Sequence, residues 1–152
     1  MVEIKEKQEL NVKNLFCFRG KVTQADLTTV NKEMQEIMAT LGAKQLGSAI
    51  TATFAVEGNL MDIEILVPID MPVTDVGKYT YKEQLLITNA VVAVYEGHPA
   101  GLQEAIENLN QYMVDKGMQP ITAGYNVTKR MDMLAPENTR IETYVGINPN
   151  IV

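Results

Sequence analysis

Asp62-Ile63-Glu64-Ile65-Leu66-Val67-Pro68-Ile69 and Arg140-Ile141-Glu142-Thr143-Tyr144-Val145-Gly146-Ile147 read as one strand written twice, with Glu64 and Glu142 lying 78 residues apart. In both, every second residue from Ile63 or Ile141 is apolar or small, the alternation of a half-buried strand. Working outward, Val2–Gly20 aligns without a gap on Tyr79–Gly97 at an offset of 77, placing Lys5-Glu6 on Lys82-Glu83, Phe18 on Tyr95 and Gly20 on Gly97. Between each lead stretch and each closing strand lies a helical pattern. In Gln24–Leu41 the apolar residues Leu27, Val30, Met34, Ile37, Met38 and Leu41 share one face. In Pro99–Lys116 the residues Leu102, Ala105, Ile106, Leu109, Tyr112 and Met113 do the same. Pro99 suits a first turn, and Gly42 and Gly117 suit left-handed caps.

Each helix is followed by two strands: Ser48–Val56 and Leu60–Ile69 joined by Glu57-Gly58-Asn59, then Ile121–Lys129 and Thr139–Ile147 joined by a loop around Met131–Asn138. The sequence therefore predicts an α+β fold of two β–α–β–β repeats, about 2–69 and 79–147, with a linker about 70–78 containing Pro72. One helix per repeat covers too little sheet for two separate domains. A single 1–152 domain with pseudo-twofold symmetry, one antiparallel sheet and both helices on one face is the expectation.

Composition narrows the function classes. The 152 residues are 46% hydrophobic with a net charge of -6, which fits a folded domain and argues against a phosphate-backbone grip on nucleic acid. One cysteine, Cys17, excludes an internal disulfide, and one histidine, His98, leaves no Cys/His metal set. No apolar run approaches the roughly 20 residues of a membrane helix, and no signal core opens the chain. A cytoplasmic protein without cofactor or metal, a monomer or homodimer, is expected. There is no Trp, but there are 6 Tyr and 9 Met.

Alternation also sorts the closing strands by face. Ile141, Thr143, Val145 and Ile147 should lie under a helix, with Arg140, Glu142 and Tyr144 opposite. Ile63, Ile65 and Val67 should lie inward, with Asp62, Glu64 and Leu66 outward. Glu64 and Glu142 thus take matching places on the face away from the helices. A carboxylate beside Tyr rings is what a planar or amphipathic organic cation requires, the charge for neutralisation and the rings for apolar and cation–π contact. The plainer reading of Glu142 next to Arg140, and of Glu64 next to Asp62, is a set of cross-strand charge partners.

The layout resembles the GyrI-like superfamily, the effector-binding domain also found in AraC-type and MerR-type drug-responsive regulators. The resemblance spans essentially the whole chain. Val94-Tyr95-Glu96-Gly97-His98-Pro99-Ala100-Gly101-Leu102 is similar to the family's strand–Gly–Pro–helix passage. Gly124-Tyr125-Asn126-Val127 and Arg140–Ile147 resemble its Tyr-bearing and Glu-bearing strands, with Gly146 where the family commonly carries proline and Pro68 keeping it in the first repeat. The resemblance implies a cleft in which Glu142 meets a cationic ligand, with Tyr95, Tyr125 and Tyr144 as neighbours and Phe18 and Glu64 as first-repeat counterparts. It also implies similarity to stand-alone bacterial members.

Other chemistry is set aside. Cys17 within Leu15-Phe16-Cys17-Phe18 reads as a small buried hydrophobe rather than a nucleophile paired with His98. Gly42–Ser48 follows a helix and has its glycines and lysine in the wrong order for a phosphate loop. Asn126-Val127-Thr128 has no secretion signal to make it a glycosylation site. Met34, Met38 and Met113 belong to helix cores, while Met131 and Met133 fall in a loop that can line an adaptable pocket.

Three functions remain. The first is a stand-alone small-molecule-binding protein, its ligand hydrophobic or cationic, with both chain ends consumed by the repeat and no DNA-binding module. The second is a protein–protein interaction or inhibitor module of the same fold, for which pairing of Glu142 with Arg140 in a filled cleft would speak. The third, implied by reports of hydrolytic members, is a hydrolase using Glu142 to activate water and Tyr125 or Tyr144 to polarise the substrate.

Overall fold

The structure, a computed structural model, describes residues 2–149. These contain β1 (Val2–Val22), α1 (Gln24–Leu41), β2 (Ile50–Glu57), β3 (Leu60–Pro68), β4 (Tyr79–Glu96), α2 (Leu102–Asp115), β5 (Pro120–Arg130) and β6 (Arg140–Ile147). The order is β–α–β–β twice, and the fold class is α+β. Local chemistry fixes the helix ends. Thr23 Oγ1 accepts from the Asp26 amide at 3.2 Å while the Asp26 carboxylate accepts from the Thr23 amide at 3.0 Å, a reciprocal capping box. That hydrogen bonding with Thr23, backbone first, holds the Asp26 carboxyl below its ordinary pKa. Gly42, at φ 76°, closes α1 in the left-handed conformation. The second helical segment differs from expectation at its start. Pro99–Gly101 form a tighter 3-10 turn, capped by His98 Nδ1 accepting from the Ala100 amide at 3.0 Å, and regular α-helix begins at Leu102.

The chain divides into two compact units, Asn11–Leu85 and the residues up to Leu10 together with those from Leu86. The division runs through the long strands β1 and β4 rather than the linker. In the Asn11–Leu85 unit, β3 pairs antiparallel with β1 on one side and with β2 on the other, with a bulge in β2 at Phe54. Phe16, Phe18, Ile63, Ile65 and Val67 face α1 and pack against its buried residues Val30, Met34 and Met38. In the other unit, β6 pairs antiparallel with β4 and with β5. Val91, Ala93, Val145 and Ile147 pack against Leu109 and Met113 of α2. Each of these large side chains contributes roughly 1.5–3 kcal/mol when fully removed from water.

The strand register revises the repeat. Arg19 and Ala52 face Glu64, whereas Val94 and Val127 face Glu142. Each corresponding pair lies 75 residues apart, and so do the caps Thr23 and His98 and the buried Met34 and Leu109. The offset of 77 holds only where β1 and β4 begin, at Val2 and Tyr79. Two extra residues are taken up within β1, where Lys7 and Asn14 hold φ values of 55° and 57°. A left-handed residue inside a strand is how a bulge admits an additional residue. Tyr95 therefore corresponds to Gly20, not to Phe18.

Candidate functional site

In the unit containing β4, β5 and β6, the face turned away from α2 carries Arg140, Glu142 and Tyr144 from β6, as alternation requires. Register adds Val92, Val94 and Glu96 from β4 and Tyr125 and Val127 from β5. Glu142 sits with valines directly opposite on both neighbouring strands, its side chain only 14% exposed. Its two oxygens have different partners. Tyr144 donates its hydroxyl to Oε1 at 2.8 Å, and Arg140 reaches Oε2 through Nη2 at 3.2 Å and Nε at 3.3 Å. The remaining arm of the guanidinium, Nη1, lies 2.6 Å from Glu96 Oε1. Burial, then the hydrogen bond to Glu142, pushes the Tyr144 phenol up to about 12, so it remains a donor at neutral pH. Glu96 first and Glu142 second hold Arg140 above its ordinary value. Two carboxylates share the Arg140 guanidinium, and a second arginine, Arg130, lies directly opposite Arg140 on β5.

The matching strand of the Asn11–Leu85 unit has another balance. Arg19 lies directly opposite Glu64, and Lys82 Nζ lies 3.5 Å from Glu64 Oε2. Arg19 forms a two-pronged contact with Asp62 at 3.1 and 3.3 Å and stacks 3.5 Å from the centre of the Phe54 ring. Lys21 faces Asp62. The Arg19 hydrogen bond holds the Asp62 carboxyl below its ordinary pKa. Two carboxylates here meet three cations.

The structure thus brings Glu142, Tyr144 and Tyr125 onto one face, with Tyr125 directly opposite Tyr144. It does not bring Tyr95 to them. Tyr95 faces Ile141 on the α2 side, and its hydroxyl donates to the His98 carbonyl at 2.6 Å. The ring lies over Gly97 and Gly101, where an added Cβ would meet the hydroxyl at 2.8 and 2.2 Å. Tyr95 closes the strand-to-helix passage. Phe18 and Glu64 belong to the Asn11–Leu85 unit and point to opposite faces, Phe18 into the α1 core at 4% exposure. Alternation already separated them: Phe18 lies one residue before Arg19, the residue that faces Glu64. Cys17 is buried, and desolvation pushes its thiol up to about 12, beyond use as a nucleophile at neutral pH. Met131 and Met133 are 53% and 83% exposed. Among the described residues no three His, Cys, Asp or Glu side chains gather as a metal set.

Sequence reading overlooked Glu96 as a member of the site. A signal for it existed, because Glu96 is the last charged residue of β4 and an antiparallel partner must bring it to the start of β6, where Arg140 stands.

No protein-family model matches this sequence, and no curated protein matches it either. Solved structures do. The C-terminal domain of EcmrR superimposes with a TM-score of 0.76 at 17% identity over 97% of each chain. EcmrR in its DNA complex gives 0.77 at 16% identity, and there this chain spans only 57% of the longer protein. A protein described as a hydrolase from Listeria innocua gives 0.60 at 12% identity, covering 97% of this chain and 91% of that one. SAV2435 bound to tetraphenylphosphonium gives 0.53 at 12% identity, covering 95% and 94%. The chain shares the fold of the EcmrR C-terminal domain. No helix among the described residues is long and apolar enough to cross a membrane.

Proposed function

We propose that this protein is a small-molecule-binding module whose ligand is an amphipathic organic cation held on the face of Glu142, Tyr144 and Tyr125. The observation that carries the reading is a buried carboxylate whose counter-ion is shared. Glu142 is set among Val94, Val127 and Tyr144, and the cation bonded to it, Arg140, is bonded to Glu96 as well. A charge in apolar surroundings interacts more strongly than one in water, so a cation that brings its own apolar surface gains on both counts. The neighbour SAV2435, bound to tetraphenylphosphonium, supports this ligand class through fold likeness. In the Asn11–Leu85 counterpart Glu64 has Lys82 at 3.5 Å and is assigned no ligand. Pairing of Glu142 with Arg140 leaves Glu142 with a shared counter-ion, since Arg140 also bonds Glu96.

A thermal-shift titration with tetraphenylphosphonium tests the reading. The wild-type protein should be stabilised with the logarithm of ligand concentration above its Kd, and Glu142→Gln should need at least tenfold more ligand for the same shift, as loss of a buried counter-charge implies. Equal shifts in the two proteins would remove Glu142 from the site.

The hydrolase reading is supported by the Listeria innocua neighbour but less by the geometry. Both oxygens of Glu142 already accept hydrogen bonds, so a water-activating role requires one partner to leave first. The interaction reading draws on Met131, Met133 and Leu134, which stand 53%, 83% and 97% exposed on the loop between β5 and β6.

A further inference from the structure

Arg140 occupies Glu142 without being committed to it. Charge-assisted N–H···O bonds are strongest at about 2.7–2.9 Å. The bond from Nη1 to Glu96, at 2.6 Å, is fully formed, whereas those from Nη2 and Nε to Glu142 are stretched to 3.2 and 3.3 Å. Glu96 stands directly opposite Arg140 across the β4–β6 ladder, so it can keep the guanidinium with no backbone movement. The residue directly opposite Glu142 is Val94, which offers the carboxylate nothing.

Resting on the reading that Glu142 receives an organic cation, we propose that Arg140 is the resident counter-ion of that site, a gate that decides which cations enter. When the site is empty, Arg140 and Tyr144 satisfy a carboxylate that would otherwise be buried and unpaired, a costly state. A ligand cation that takes Oε2 displaces only the stretched side of the fork, and Glu96 holds the guanidinium through Nη1. The exchange trades two stretched hydrogen bonds to Oε2 for the charge of the ligand, and Tyr144 keeps its bond to Oε1. Net binding therefore comes from the apolar body of the ligand against Val94, Val127 and the Tyr rings. Small, strongly hydrated cations bring no such surface and do not displace Arg140. Selection for bulky, delocalised cations follows from the competition and not from the shape of a pocket.

The test is calorimetric titration of the full chain with tetraphenylphosphonium, comparing wild type, Arg140→Gln, Glu96→Gln, the double variant and Glu142→Gln. Arg140→Gln should bind about tenfold more tightly, because the two stretched charge-assisted bonds to Oε2 no longer have to be broken. Glu96→Gln should bind about tenfold more weakly, because Glu142 becomes the carboxylate that retains Arg140. Damage to the fold would weaken both, so the opposite signs are informative. The double variant separates a gate from a general change of charge. With the resident counter-ion gone it should bind as tightly as Arg140→Gln, whereas simple charge compensation would return it to the wild-type value and overturn the proposal. If wild type binds and Glu142→Gln does not, yet Arg140→Gln binds no better than wild type, the gate is wrong and the ligand reading stands. If no variant binds, Arg140→Gln included, both fall together.

Discussion

The strands Asp62–Pro68 and Arg140–Gly146 do one job on one face and opposite jobs on the other. Toward the helices they are interchangeable: Ile63, Ile65 and Val67 pack under α1 as Val145 and Ile147 pack under α2. Away from the helices both keep a glutamate, but its surroundings are inverted. The facing pair Lys21 and Asp62 becomes Glu96 and Arg140, with the signs exchanged, and Arg19 opposite Glu64 becomes Val94 opposite Glu142. Leu66 in one strand is Tyr144 in the other. The packing face of a repeat is held to volume and apolarity, because cores penalise any departure. The other face is free to diverge in charge, and here it diverged into a glutamate paired with Lys82 and one whose arginine is shared with a second carboxylate.

The largest expected effects test whether the two frames are as equivalent as the 75-residue spacing implies. Met34 and Leu109 are 1% and 0% exposed and occupy corresponding places in α1 and α2. Met34→Ala and Leu109→Ala should each destabilise by about 2–5 kcal/mol, the range for emptying a packed aliphatic site. Urea unfolding of the two variants reads this directly. A loss in one that is less than half the loss in the other would show that the helices do not carry equal shares, and the comparison would fail at its foundation.

A smaller effect addresses Tyr95, which family resemblance grouped with Glu142 and the register places on the α2 side. Tyr95→Phe removes one of two donors to the His98 carbonyl, which keeps the Gly101 amide at 2.9 Å, and should cost about 0.5–1.5 kcal/mol, while tetraphenylphosphonium affinity stays at the wild-type value. Weakened ligand binding at unchanged stability would return Tyr95 to the site and undo the assignment of faces.

What could be read from the chain, and what could not, follows the range of the interactions involved. The limits of α1 at Gln24 and Leu41 emerge from periodicity and from Thr23 and Gly42, all local signals. The faces of Glu142 and Glu64 follow from a period of two along one strand. Register is different, because it depends on where β1 gains residues. Lys7 and Asn14 adopt left-handed backbone without being glycine, and nothing in their side chains announces it. The offset of 77 inherited that silence, and with it came the pairing of Phe18 with Tyr95. The bond between Arg140 and Glu96 joins residues 44 apart in sequence and becomes visible only once β4 and β6 are in register.

The smallest expected effect compares two phenols. Tyr144 donates to Glu142 in one unit, and Tyr79 donates to Glu33 at 2.5 Å in the other. Burial first, then the carboxylate partner, pushes each up to about 12. A folded-state value above the unfolded one means that stabilisation is complete below about pH 10 and is lost as pH rises from there through 12. Both units should therefore weaken in the same alkaline window. Tyr144→Phe should flatten its share of that slope by under about 1 kcal/mol, allowing for solvent screening at a partly exposed site. Unfolding midpoints across the window, with tyrosinate absorbance as the titration record, give the check. The partners make the two phenols unequal in one respect. Glu33 is further satisfied by Lys78 at 3.9 Å, on the helix side, whereas Glu142 is the carboxylate a ligand would occupy. Saturating tetraphenylphosphonium should therefore shift the Tyr144 titration and leave that of Tyr79 in place. Parallel shifts of both would mean that the ligand acts through the whole fold and not through the carboxylate of Glu142.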